Sequence, residues 1–219
     1  MRERLRTAAI LTAAVLAVAL IVLLGWANPP RPSVVSTDRL GPENGEPVAD
    51  YLARVRDSLA AADNDQHWAL VSFGTGVPAD QLPRSAAGLR ISHVLYHVPI
   101  DRVYTPPIDV PVPAGDAATL ASLAAAAGAM DNSQPADDRA ARTARVVAAR
   151  LHAACPCAVG LVVRATPPQL RDLATHNSIR AVEALPPDAA AGAFTVVPLL
   201  PEQQETTAPG PDDGPVPDR

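Results

Sequence analysis

The sequence predicts an α+β chain in which one membrane-spanning helix precedes a single folded domain. Three observations carry that expectation. Residues 8–26, AAILTAAVLAVALIVLLGW, hold no charge and no proline, and as a helix they reach about 28 Å, close to the hydrocarbon thickness of a bilayer. Behind them, runs with strand-like alternation are interleaved with runs of helical period. Two of these stretches repeat one plan of strand, short helix and strand.

The anchor has a predicted direction. Arg2, Arg4 and Arg6 precede it against one Glu3, whereas Arg31 and Arg39 behind it are balanced by Asp38, Glu43 and Glu46. Excess positive charge stays on the cytoplasmic side. Residues 1–7 are therefore expected in the cytoplasm, residues 8–26 in the plasma membrane as a single-pass signal anchor, and the rest outside. A cleaved signal peptide competes with this reading, because Gly25-Trp26-Ala27 offers a small-x-small site for cleavage after Ala27. The apolar run exceeds a usual signal region, and Trp26 suits a membrane interface, so the retained anchor is preferred. Seven residues are too few to carry an inward-facing catalytic or DNA-binding module.

Composition narrows the function. The chain has 219 residues, with 18 Arg and no Lys. From Asn28 onward, 15 Arg face 22 Asp and Glu, an acidic exterior that excludes nucleic acid and anionic lipid as natural partners. Aromatic residues are only 3%, so the core must be built from Val, Leu, Ile and Ala, and base-stacking or aromatic sugar-binding platforms are not expected.

Residues 27–46, rich in Pro and Gly, are expected as an extended stalk. Residues 47–200 form the extracytoplasmic domain. In it, Pro47 to Ala62 reads as a helix with Val48, Leu52, Val55 and Leu59 in one stripe. His67 to Gly74 is a strand, Thr75-Gly76-Val77-Pro78 a turn, and Pro78 to Ala86 a short helix carrying Leu82. Ile91 to Val98 is a second strand. Thr105 to Pro113 has four prolines in nine residues, which suits an edge segment. Asp116 to Met130 is an Ala-rich helix, with Gly128 near its end. Asp137 to Ala154 is the strongest helix of the domain, its stripe formed by Ala140, Ala144, Val147, Leu151 and Ala154, with Asp at its start and Arg150 and His152 near its end. Ala158 to Ala165 is a strand, Pro167 to Thr175 a short helix, Ile179 to Leu185 a strand, and Gly192 to Leu200 a last strand at an edge. Residues 201–219, Pro-rich and polar, are expected to be disordered.

The repeat sets the architecture. In both copies a Pro precedes a Gln-Leu pair, and the Leu lies nine residues before the next strand's Ile: Leu82 to Ile91, and Leu170 to Ile179. Two βαβ-like units that pair into one sheet, with helices on one face, give a ferredoxin-like α/β sandwich with extra helices. Residues 170–187, LRDLATHNSIRAVEALPP, resemble a stretch of subtilisin-type propeptides and related inhibitor domains, which share that plait. This resemblance implies a protease-inhibitor or propeptide-like role as an alternative. The whole layout of anchor, Pro-rich stalk, Arg-only basic residues and α+β domain is similar to that of uncharacterised actinobacterial single-pass membrane proteins.

Few residues invite chemistry. Cys155 and Cys157 are the only cysteines; outside the cytoplasm they form a candidate disulfide, read first as a local staple and second as a thiol-redox pair. His93 and His97 lie on one face of a strand about 13 Å apart, too far for one metal. Arg139, Arg142 and Arg145 recur every three residues on the strongest helix and are the candidate partner-binding residues, against the plainer reading of a solvated face. Gly74-Thr75-Gly76 lacks the third glycine and Lys of a phosphate loop. No catalytic, cofactor-binding or metal-ligating set is expected. The function expected is therefore a non-enzymatic interaction or accessory module with a protein partner at the outer face of the membrane, pairing through open sheet edges.

Overall fold

The computed structural model describes residues 38–218. The expected cytoplasmic residues 1–7, the anchor 8–26 and most of the stalk lie outside the described residues. Among the described residues, no helix is long and apolar enough to cross a membrane.

The domain is α+β, with five helices and a five-stranded antiparallel sheet. After a two-residue strand β1 (Arg39–Leu40) come α1 (Val48–Ser58), β2 (His67–Val77), a 3₁₀ turn leading into α2 (Leu82–Ser85), β3 (Ile91–Tyr96) and β4 (Ile108–Pro111). There follow α3 (Asp116–Asp131), α4 (Asp138–His152), β5 (Ala158–Ala165), α5 (Pro167–Leu173), β6 (Ile179–Ala184) and β7 (Thr195–Val196). The strand order of the main sheet is β4-β3-β5-β2-β6. β5 lies between β2 and β3 and is antiparallel to both.

The two faces are covered differently. Ala69, Val71 and Phe73 of β2 join Val94, Leu161, Val163 and Val182 on one face. Helices cover that face, with Leu82, Ala126, Val147, Leu151, Leu170 and Leu173 in the same core. The sequence explains the helix ends: the Asp137 side chain accepts from the Ala140 N–H, and Thr166 and Gln169 form a capping box on α5. On the other face, Trp68, Leu70, Leu95, Val159 and Val162 are buried beneath Leu40, Leu185, Phe194 and Val196. That cover is irregular chain and two short strands; α1 closes only its β6 side, where Val48, Tyr51 and Val55 meet Ala181 and Leu199.

Several expectations are corrected. The strand expected to end at Gly74 runs on to Val77, which pairs with Ala158 across an irregularity after Ser72. Here glycine serves close approach and not turning: a Cβ on Gly76 would stand 2.0 Å from the Pro156 carbonyl oxygen. The buried stripe of α1 uses Tyr51, fully buried, where Leu52 was expected and is only half-buried. The expected last strand, Gly192 to Leu200, shrinks to Thr195–Val196 and pairs in parallel with Arg39–Leu40, outside the main sheet. The stalk's end belongs to the domain, since Leu40 is fully buried.

The tail is corrected as well. Residues 201–218 have no helix or strand, as their prolines dictate, but they are bound to the domain. Arg180 donates to the carbonyls of Leu200 (3.1 Å) and Gln203 (2.6 Å). The Thr207 N–H donates to the Glu46 carbonyl at 3.0 Å, and the Gly214 N–H to the Arg102 carbonyl at 2.7 Å.

Candidate functional site

The N-terminal strap (residues 39–46), the loop between β3 and β4 and the C-terminal segment together line an open groove of about 900 Å³. Each wall has a local cause. In the β3–β4 loop, Ile100 accepts from the Val103 N–H at 3.1 Å, and the Thr105 hydroxyl donates to the Val98 carbonyl at 2.8 Å. These bonds turn the loop and leave Tyr104 53% exposed. On the tail, the Asp212 carboxylate accepts from the Tyr104 N–H at 3.1 Å, and Asp213 pairs with Arg102. Thr207 donates to the Glu43 carbonyl, which closes the strap side. Val197, 39% exposed, lines the groove with Tyr104.

His97 lines the groove and is only 5% exposed. Its backbone N–H donates to the Cys157 carbonyl at 2.8 Å, and its Nε2 lies 2.7 Å from Glu202 Oε1. Against a carboxylate, Nε2 is the protonated nitrogen. Nδ1 is buried and has no partner among the described residues. Burial pushes the Glu202 carboxyl up, but the His97 hydrogen bond, the backbone N–H of Glu202 and the His97 charge together outweigh it and leave the group below its ordinary value. One ring nitrogen is occupied and the other hidden, so in this arrangement the imidazole presents neither to a ligand in the groove as a base.

Beside the groove, across Tyr104, lies a second hollow of about 330 Å³. Met130, Ala140, Ala144, Val147, Pro106 and Pro135 make it mostly apolar, and Arg139 and Asp212 are among its polar lining.

The other sequence-selected residues are dispersed. Cys155 and Cys157 are joined by a disulfide at the α4–β5 junction, with Cys157 buried and Cys155 half-buried. Arg139 is held by the tail, donating to Asp212 at 2.8 Å and to the Gly214 carbonyl at 2.9 Å. Arg142 and Arg145 are exposed, so the three do not act as one free patch. His93 pairs with Asp109 at 2.7 Å on the β3–β4 ladder, apart from the His97–Glu202 pair. Among the described residues, no group of three or more His, Cys, Asp or Glu side chains stands ready for a metal.

Sequence reasoning missed the buried cluster that holds the groove's strap. Glu183 of β6, beside Leu70 in the register, accepts from the Gly41 N–H (2.5 Å), the Tyr51 hydroxyl (3.2 Å) and Arg54 Nη1 (2.5 Å). Burial pushes its carboxyl up, and those three donors only partly oppose the shift. Burial, reinforced by the Glu183 charge, also raises Tyr51. Gly41 has φ +112°, and a Cβ there would lie 1.7 Å from the Val197 carbonyl oxygen, so no other residue lets the strap pass. The one signal available was the acid Glu183 within the strand expected over Ile179 to Leu185.

No protein-family model, no curated protein and no solved structure matches the chain.

Proposed function

We propose that this chain is a non-enzymatic binding module, held at the outer face of the plasma membrane by residues 8–26, that recognises a protein partner through the groove beside Tyr104. The observation that carries the reading is the groove itself. It is open and about 900 Å³, and it gathers Tyr104 and Val197, two of the exposed large apolar side chains of the described domain. An exposed aromatic at the lip of a concave surface is a usual anchor for association. The concealed nitrogens of His97 favour recognition over acid–base chemistry in the same place.

The domain is read as a ferredoxin-like sandwich with additions. In support, β6-β2-β5-β3 is the order that two interlocked βαβ units produce, with β4 as an added edge and α3–α4 inserted between β3 and β5. Its open edges are poor docking strips. Pro107, Pro111 and Pro113 flank or interrupt β4, and the outward Ala184 N–H of β6 already donates to Ser58 Oγ at 3.0 Å. The groove is therefore the preferred contact.

A photoreactive phenylalanine analogue tests this in the native cells when it is placed at Tyr104 and, as a control, at the exposed Leu120 of α3. The expected result is one discrete adduct from position 104 and none from 120. Equal adducts at both positions, or none at 104, contradicts the proposal.

A further inference from the structure

We infer that the groove takes an extended, basic polypeptide segment, and that the hollow across Tyr104 takes one large apolar side chain of the same segment. The inference rests on the binding reading above and adds the chemistry of the partner.

Charge supplies the first argument. The groove is lined by Glu43, Asp101, Glu202 and Glu205 against Arg39 and Arg102. Arg102 is neutralised by Asp213, while Arg39, which donates to the neutral Pro42 carbonyl, keeps its charge and is outnumbered by Glu43, Asp101 and Glu205. Glu202 is held by His97. Glu43, Asp101 and Glu205 are exposed, and their carboxylates make no hydrogen bond or ion pair among the described residues. The charge left for a ligand is negative, so the ligand must be positive.

Hydrogen-bonding capacity points the same way. Six prolines line the groove; the carbonyls of Pro42 and Pro99 already accept from Arg39 and Arg150, which leaves those of Pro107, Pro198, Pro209 and Pro211. Proline offers a carbonyl acceptor and no N–H, so these walls accept more than they donate. A segment rich in Arg and Lys brings donors in number. An open groove with walls from three chain segments suits an extended ligand better than a compact one.

The hollow supplies the anchor. Most of its surface is apolar, although Ser133, Gln134, Asp137 and Thr143 also line it, and Tyr104 borders both cavities. A polypeptide that crosses Tyr104 leaves the acidic groove and meets an apolar socket. One large apolar side chain beside a basic run is the pattern this surface reads.

The test is fluorescence anisotropy of the full chain in non-ionic detergent with three synthetic peptides: one rich in Arg and Lys with a single Trp, the same peptide with Trp replaced by Ser, and an acidic counterpart with the Trp retained. The first is expected to bind at least about tenfold more tightly than either of the others. Glu43→Gln/Asp101→Asn/Glu205→Gln, at three exposed and unpartnered positions, is expected to weaken it about tenfold. Ala140→Phe, which fills the hollow, is expected to weaken the Trp peptide and leave the Ser peptide unchanged. Circular dichroism confirms that each variant is folded. Equal binding of the three peptides, no binding of any, or an unchanged affinity in the triple variant overturns the inference. If these peptides fail while position 104 still gives its adduct in cells, the binding reading stands with a partner of other chemistry; if the adduct fails too, both fall.

Discussion

Arg54 and Glu183 form a 2.5 Å ion pair between α1 and the outermost strand of the sheet, and the two ends differ in their surroundings. The Glu183 side chain is 6% exposed, while that of Arg54 is 46% exposed and also reaches Glu46 at 3.1 Å. The pair therefore draws one charge into the domain and leaves the other half in water. Together with the Gly41 N–H and the Tyr51 hydroxyl on Glu183, it joins sheet, helix and N-terminal strap at one carboxylate. That strap leads directly into the groove wall at Pro42 and Glu43.

Removing this carboxylate should loosen the strap. Glu183→Ala leaves the buried Gly41 N–H and Tyr51 O–H without an acceptor, and is expected to cost about 2–4 kcal/mol. Glu183→Gln keeps an acceptor, and Arg54 retains Glu46 and water, so about 1–2 kcal/mol is expected. Urea denaturation of both variants checks the order. Equal losses, or none, would contradict the cluster's role.

His67 predicts a pH dependence. Burial disfavours its charged form, but hydrogen bonds to Asp63 (2.9 Å) and the Leu185 carbonyl (2.7 Å), with the charges of Asp63 and Asp65, together outweigh burial and raise it above its ordinary value. A group raised on folding gives stability that is complete below about pH 6.5 and lost as the pH climbs through the folded value. Asp63→Asn is expected to flatten that decline and to bring the His67 titration, followed by NMR, back toward 6.5. An unchanged titration in Asp63→Asn would refute the assignment.

The Cys155–Cys157 bridge predicts a small structural effect. It closes a very short loop, so the chain-entropy relation gives about 1.5 kcal/mol. The double variant Cys155→Ser/Cys157→Ser is expected to fold, to unfold at slightly lower urea, and to keep binding at the groove, because His97 meets this loop only through the Cys157 carbonyl. Lost binding in a folded double variant would move the bridge into the functional site.

The tail predicts protection. Glu202 and Glu205 lie in a segment fastened through Arg180, Thr207 and Gly214. A glutamate-specific protease is expected to cut there only as fast as the domain opens. Immediate cleavage with an intact body would mean that the tail does not wall the groove.

Much of the sheet was legible because local signals agreed with tertiary ones. The acidic start and apolar stripe of α4 and the repeated Gln-Leu pairs each named an element that is present, although Ala154, expected on that stripe, lies past the helix end and is exposed. The prolines around Ile108–Pro111 correctly put that segment at an edge. The misses have a common physical source: they fall where long-range contacts decide conformation. Gly76 looks like a turn until Pro156 lies against it, and Gly41 looks like stalk until Val197 crosses it. The tail has the composition of a disordered segment, yet Arg102, Arg139 and Arg180 each hold it by side-chain bonds that no local pattern reveals. The groove was illegible for the same reason, since its walls are far apart in sequence.

The central claim is that this groove holds a partner in the cell. Amide hydrogen exchange of the full chain, compared between native membranes and chain purified in non-ionic detergent, tests it most directly. The account predicts extra protection in the membranes confined to residues 97–107 and 200–211. Uniform protection across the domain, or identical exchange of those two segments in both states, would contradict it.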